Sequence, residues 1–192
     1  MNEKGGSRIR AFVALEVDEA MRSRIVETMA GLRPRFTGLR WVSPAQVHLT
    51  LRFLGRADPA VLKEMEQPLV RAAAACPAAS VGVSGLGLFP ERGRARVLWL
   101  GIDLPESVLA LQAACEAAAV EAGFEAEDRP FRSHLTLGRW REPASRPRLA
   151  ELELGPARLD RLVLYRSDLR STGAVYTPLA SFPLGHISQG GE

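Results

Sequence analysis

The sequence predicts an α+β fold built as two pseudo-two-fold-related lobes, each of antiparallel sheet plus helices, around a central cleft that holds two His-x-Thr strands. Three observations carry this expectation. Short apolar runs and helical patterns alternate irregularly, and several adjacent runs are separated only by turn residues, which suits hairpins rather than parallel crossovers. The word His-Leu-Thr-Leu occurs twice, at His48–Leu51 and His134–Leu137, in a chain with only three histidines. The same succession of strand, helix and His-Leu-Thr-Leu strand spans 8–54 and, with variation, 97–140. With Leu at 26 of 192 positions and Thr at 6, this repetition by chance is roughly a one-in-a-million event.

Each element has its own signal. "RIRAFVALEV" (8–17) is a β-branched and aromatic run that reads as a buried strand. Asp18 is placed as a helix N-cap. Met21, Ile25, Met29 and Leu32 then recur at helical spacing up to Pro34. "LRWVS" and "VHLTLRFLG" read as strands interrupted at Pro44. Asp58 and Pro59 open a second helix that ends near Cys76, before Pro77. "SVGVSGLGLF" and "RARVLWLGI" form a hairpin about the turn at Pro90 to Gly93. A third helix runs from Pro105 to about Ala122 and closes at Gly123. "FRSHLTLGRW" reads as a strand, "SRPRLAELEL" as a short helix, and "ARLDRLVLYRSDL" and "AVYTPLASFPL" as the closing strands. The whole of 1–192 reads as a single bilobal domain, with 1–7 and about 186–192 as frayed tails.

Composition bounds the class. Apolar residues at 46% and charged residues at 24% are ordinary for a globular protein, and no apolar stretch approaches the length of a membrane span. The start "MNEKGGSR" lacks the apolar core of a signal peptide, and Cys76 and Cys115 form neither a disulfide framework nor a metal-spaced pair, so a cytoplasmic, reducing setting is expected. Both cysteines suit small buried apolar roles. The net charge of +3 is a weak hint of an anionic partner. Arg129, Arg132, Arg139, Arg141, Arg146 and Arg148 surround the second His word with few acids between them, and a planar guanidinium suits phosphate oxygens. A second group, Arg92, Arg94 and Arg96, lies in "PERGRAR". Nothing in the pattern calls for an obligate protein partner.

On a strand, side chains at i and i+2 share a face, so His48 projects with Thr50 and His134 with Thr136, over leucines that point the other way. Two imidazoles and two hydroxyls converging on one point suit a phosphate. The hydroxyls donate to its oxygens, while one ring accepts a proton from the attacking group and the other returns one to the leaving oxygen. Histidine fits because its ordinary pKa of about 6.5 populates both protonation states near neutrality. The words are nearly symmetric, so they leave open which ring is acid and which is base. Two histidines without carboxylate or cysteine ligands at suitable spacing fall short of a zinc site. No nucleophile elbow and no dinucleotide or Walker fingerprint is present, so no metal and no cofactor is expected.

The paired "HLTL" words resemble those of the 2H phosphoesterase superfamily, with its HxTx motif. "RAFVALEV", "WVSPAQVHLTLRFLG", "GLGLFP" with "RVLWLGI", "RPFRSHLTLGR" and "LVLYRSDLRSTGAVYTPL" resemble, in order, its branch of RNA 2',3'-cyclic phosphodiesterases, first named 2'-5' RNA ligases. The resemblance implies a metal-independent hydrolase of RNA processing. Its activity would open the terminal 2',3'-cyclic phosphate of RNA to a 2'-phosphate, with 2'-5' ligation as the same chemistry reversed. It further implies that His48 is the proton donor, His134 the proton acceptor, Thr50 and Thr136 phosphate-binding hydroxyls, and Arg139 a substrate-binding residue. Ser133 departs from the Pro that many relatives carry there. Two alternatives stand beside this reading: a relative acting on a small cyclic nucleotide or ADP-ribose cyclic phosphate, and a non-catalytic module that binds RNA ends.

Overall fold

The computed structural model describes residues 7–170 and 173–185. Of the expected tails at 1–7 and about 186–192, residues 1–6 and 186–192, with His186, lie outside the described residues, as do 171–172. Nine strands form one sheet with the order β7-β4-β5-β6-β3-β1-β8-β9, and β2 sits beside β6. The strands are β1 Ile9–Glu16, β2 Leu39–Trp41, β3 His48–Ala57, β4 Ala79–Phe89, β5 Ala95–Ile102, β6 His134–Ala144, β7 Glu153–Leu159, β8 Arg161–Arg170 and β9 Gly173–Pro183. Every ladder between them is antiparallel. The order is symmetric about its centre: β3 and β6 lie together, β1 and β5 flank them, and a pair of strands completes each side. This is the two-lobed α+β arrangement expected from the repeat, realised as one curled sheet.

Three helices cover one face. In α1, Glu19–Leu32, the Asp18 carboxylate accepts from the Met21 amide at 2.7 Å, and Met21, Ile25, Met29 and Leu32 are buried at the expected spacing. In α2, Pro59–Ala75, Asp58 caps Ala60 at 2.9 Å and Leu62, Met65, Leu69 and Ala73 face inward. In α3, Glu106–Glu121, Val108, Leu111, Cys115 and Ala119 are buried, and Gly123 beyond it takes a φ of 89° that favours glycine. The helices interlock the halves: α1 packs on β7 and α3 on β3, each against a strand of the opposite side. Both cysteines are free and buried, as expected, and burial pushes the Cys115 thiol up to about 12. No helix among the described residues is long and apolar enough to cross a membrane.

Two expectations fail toward the C-terminus. "SRPRLAELEL" forms no helix. Leu149 and Leu152 have helical spacing but pack against the core from irregular chain, and the Leu152 carbonyl accepts from the Gly85 amide at 2.7 Å, which draws the segment onto the β4 edge. "ARLDRLVLYRSDL" is two strands, because Asp160 alone separates β7 from β8. These two lie far apart in the strand order, β7 on the β4 edge and β8 beside β1. The curl of the sheet brings the two sides close enough for one residue to cross between them.

Candidate active site

The two His words meet at the centre of the sheet. β3 and β6 pair at Leu49↔Leu135, both fully buried. Continuing that register by one residue each way sets His48 opposite Thr136 and Thr50 opposite His134. The four polar side chains therefore share the face away from the helices, as the i, i+2 pattern implies. Past this pair the strands part. The segment 124–133, which leads into β6, is irregular and does not follow β3, and a cleft of about 910 Å³ opens between them.

The rings are held alike. His48 Nδ1 donates to the Gln46 carbonyl at 2.7 Å, and His134 Nδ1 donates to the Arg132 carbonyl at 2.8 Å. A carbonyl can only accept, so Nδ1 carries hydrogen in both neutral rings and Nε2 keeps the lone pair. His48 Nε2 accepts from the Thr50 hydroxyl at 3.0 Å. The surroundings differ. His48 stacks on Phe12 with centroids 4.8 Å apart and meets Tyr176 edge-on at 5.3 Å. Tyr165 also stacks on Phe12, at 5.2 Å, and donates to Glu16, which pairs with His48 across β1 and β3. Among the described residues, the rings that His134 meets are Phe89 at 5.0 Å and Trp99 at 6.2 Å, both edge-on.

These surroundings set the electrostatics. Burial pulls His48 down to about 4, opposed by the Gln46 carbonyl and Glu16 and helped by the Arg22 guanidinium and by His134 whenever that ring is protonated. His134 is also lowered, first by burial and then by the Arg139 guanidinium, against the Arg132 carbonyl. Both rings are neutral in the unliganded protein near pH 7.

A bulge places Arg139. Thr136 pairs with Trp99 and Gly138 with the adjacent Leu98, so Leu137 is an extra residue on β6. The face shared by His134 and Thr136 passes to Arg139, which is exposed on the cleft wall and has no ion-pair partner among the described residues. Of the other arginines around the second word, Arg129 and Arg132 line the cleft, paired with Glu127 and Glu91. Arg146 instead donates to the Pro90 carbonyl at 2.8 Å and Arg94 to the Pro143 carbonyl at 2.7 Å, bracing the β4–β5 turn against β6.

Several residues at the site carried no signal in the sequence. Phe12, Tyr165 and Tyr176 gather around His48 only because β1 and β8 are neighbours, a pairing between residues some 150 apart in sequence. Arg52, buried at 7% exposure, forms an ion pair with Glu116 at 2.6 Å, donates to the Phe53 carbonyl at 2.8 Å, and also donates to the Glu125 carbonyl. It ties β3 to α3 and to the start of the irregular cleft wall. Among the described residues, no group of three or more His, Cys, Asp or Glu side chains is placed to hold a metal ion.

Comparison with known proteins agrees with this arrangement. The sequence model of the LigT-like phosphoesterases matches two stretches, 15–99 and 102–176, one around each His word. A protein of Methanothermobacter thermautotrophicus named RNA 2',3'-cyclic phosphodiesterase is 32% identical over 184 residues, covering 92% of this chain and all of the relative. One of the same name from Thermus thermophilus is 35% identical over 184 residues, with 92% and 90% covered. The crystal structure of TT0787 of Thermus thermophilus matches with a TM-score of 0.81 at 31% identity, over 93% of this chain and 99% of that one. E. coli LigT in its apo form shares the fold at a TM-score of 0.81 and 24% identity. With both halves of the sheet, both His words and most of the chain's length accounted for, this chain belongs to the LigT-like phosphoesterase family.

Proposed function

We propose that the chain hydrolyses terminal 2',3'-cyclic phosphates of RNA to 2'-phosphates by acid–base catalysis between His48 and His134. The observation that carries this reading is the matched tethering of the rings. Each Nδ1 is held by a carbonyl two residues back, which leaves both Nε2 atoms clear of the backbone on the face shared with Thr50 and Thr136; His134 and Thr50 line the larger cleft, and His48 a second, smaller pocket of about 210 Å³. The relatives named RNA 2',3'-cyclic phosphodiesterase support the substrate.

In the proposed step, neutral His134 takes a proton on Nε2 from water as the water oxygen bonds to phosphorus. The P–O3' bond breaks and His48, doubly protonated, gives its Nε2 proton to O3'. The phosphate stays on O2'. Thr50, Thr136 and Arg139 donate to the non-bridging oxygens, whose charge grows in the transition state. The lowered pKa of His134 keeps it a free base at neutral pH. A 5'-hydroxyl entering in place of water would form a 2'-5' bond by the same displacement.

The test is incubation of the purified protein with uridine 2',3'-cyclic phosphate and with an RNA oligonucleotide ending in a cyclic phosphate, both in EDTA, with phosphorus NMR of the products. A 2'-phosphate as the sole major product is expected. A 3'-phosphate would reverse the acid and base roles or the substrate orientation. No turnover on either substrate would refute the activity.

A further inference from the structure

The two His words are alike even in their irregularities. Each ring is tethered through Nδ1 to the carbonyl two residues back. On β3, Thr50 pairs with Ala14 and Arg52 with the adjacent Val13, so Leu51 is an extra residue, as Leu137 is on β6, and Phe53 reaches the cleft wall as Arg139 does. Nothing within the words makes one ring an acid and the other a base. The difference lies on the flanking strands, where the residue directly opposite a histidine shares its face. On β1 the residue opposite His48 is Glu16, and on β5 the residue opposite His134 is Gly101. A Cβ at Gly101 would lie 2.5 Å from the Ser84 carbonyl oxygen, so β5 can place no carboxylate there.

Glu16 is held from two further elements. Tyr165, on β8, donates its hydroxyl proton to Glu16 Oε1 and stacks on Phe12, which in turn stacks on His48. Arg22, on α1, lies 4.0 Å from the same oxygen, but it also lies 3.8 Å from Glu19 and donates to the Ala45 carbonyl at 2.9 Å, so its charge is divided. Burial and the Glu16 carboxylate push the Tyr165 hydroxyl up, and burial does the same to Tyr176 on β9, so both phenols stay neutral. Glu16, Arg22, Tyr165 and Tyr176 line the smaller pocket together with His48. The charges that face this ring are therefore Glu16, Arg22 and, when protonated, His134 on β6. Enclosure between Phe12 and Tyr176 by itself disfavours a proton on His48. An acid role for this ring needs an anion to offset that cost, and Glu16 stands opposite it.

We propose that Glu16 is the positioning residue that makes His48 the acid of two otherwise matched histidines: its carboxylate, fixed by Tyr165, favours the arrangement with the proton on His48 over the one with the proton on His134. This rests on the reading of the chain as a cyclic phosphodiesterase in which His48 protonates O3', and adds what selects that ring. The number of protons in the cleft is unchanged; Glu16 decides which Nε2 carries the one that is transferred. The asymmetry of the reaction thus comes from a strand outside the repeated words.

The experiment titrates the histidine Cε1 protons by NMR in wild type, Glu16→Gln and Glu16→Asp, with the rings assigned from His48→Gln and His134→Gln. Glu16→Gln keeps the shape of the side chain and an oxygen for Tyr165, and removes only the charge. It should lower the His48 midpoint by about one pH unit, the low end for a nearby opposite charge because Arg22 shares it, and leave His134 in place. Glu16→Asp should restore most of the shift. In turnover of 2',3'-cyclic AMP the basic limb of kcat should move down by the same interval, a loss of about tenfold above the limb, with KM little changed. A His48 midpoint unmoved by Glu16→Gln, or equal movement of both rings, overturns the proposal. A fall in kcat with an unmoved midpoint overturns it too, and makes Glu16 a structural tie between β1 and β8. The titration needs no turnover, so a failure of hydrolysis and a failure of this inference are told apart.

Discussion

Anion binding should draw a proton onto His48. Lowering its pKa from the ordinary 6.5 to about 4 corresponds to about 3 kcal/mol against the charged ring. A unit negative charge about 4 Å away contributes about 4 kcal/mol at the effective dielectric of a partly buried site. The anion therefore wins, and the ring that is neutral in the free protein is charged in the complex. With a pKa of about 4, the free ring is only about one-tenth protonated at pH 5. Sulfate, which keeps its charge from pH 4.5 to 7, is the probe. Calorimetry in two buffers of different ionisation enthalpy should register uptake approaching one proton per sulfate at pH 5.5, beyond any uptake by His134, and affinity should climb as pH falls. His48→Gln should abolish that proton. Equal uptake by wild type and His48→Gln would refute the argument. Stability follows the same sign. Between pH 4 and 6.5 the unfolded chain binds more protons at this position than the folded one, so the unliganded protein gains stability as pH rises through that window, and His48→Gln flattens the slope.

His48→Ala and His134→Ala should each reduce turnover by at least about 100-fold while retaining wild-type circular dichroism; a variant keeping more than half of the activity loses its place in the mechanism. Arg139→Ala should weaken substrate binding by about 1.5–3 kcal/mol, read as a raised KM on RNA; unchanged kinetics would make Arg139 a solvated surface residue. Gly138→Ala would put a methyl 2.7 Å from Leu39 Cγ and 3.0 Å from the Arg40 carbonyl. Forcing β2 off β6 should lower stability by about 1–3 kcal/mol in urea unfolding, and wild-type stability would show that β2 yields freely.

Much of this molecule is legible in its sequence, and for local reasons. Asp18 and Asp58 announce their helices because capping depends on a single side chain and the next few amides. His48 with Thr50, and His134 with Thr136, share a face because strand alternation needs no knowledge of the partner strand. The missed features depend on distant chain. The irregular form of 145–152 comes from the β4 edge overriding a helical spacing of Leu149 and Leu152. The break at Asp160 follows from sheet curl. The bulges at Leu51 and Leu137 appear only in the pairing with β1 and β5, so Phe53 and Arg139, which alternation from the histidines assigns to the buried face, emerge in the cleft.

The crossing at Asp160 bears on how the chain acquires its shape during synthesis. Strand β1, made among the first residues, finds one neighbour in β3 but must wait for β8 to cover its other side. The C-terminal strands thus complete the N-terminal half, and neither half is a contiguous stretch that a ribosome could release to fold alone. Until Leu162–Arg166 emerge, the apolar run Ala11–Leu15 has an open edge, able to accept a strand from another nascent molecule. A chain halted before β8 is therefore an aggregation hazard rather than a half-sized phosphoesterase, and contacts this distant in sequence make for slow, late folding.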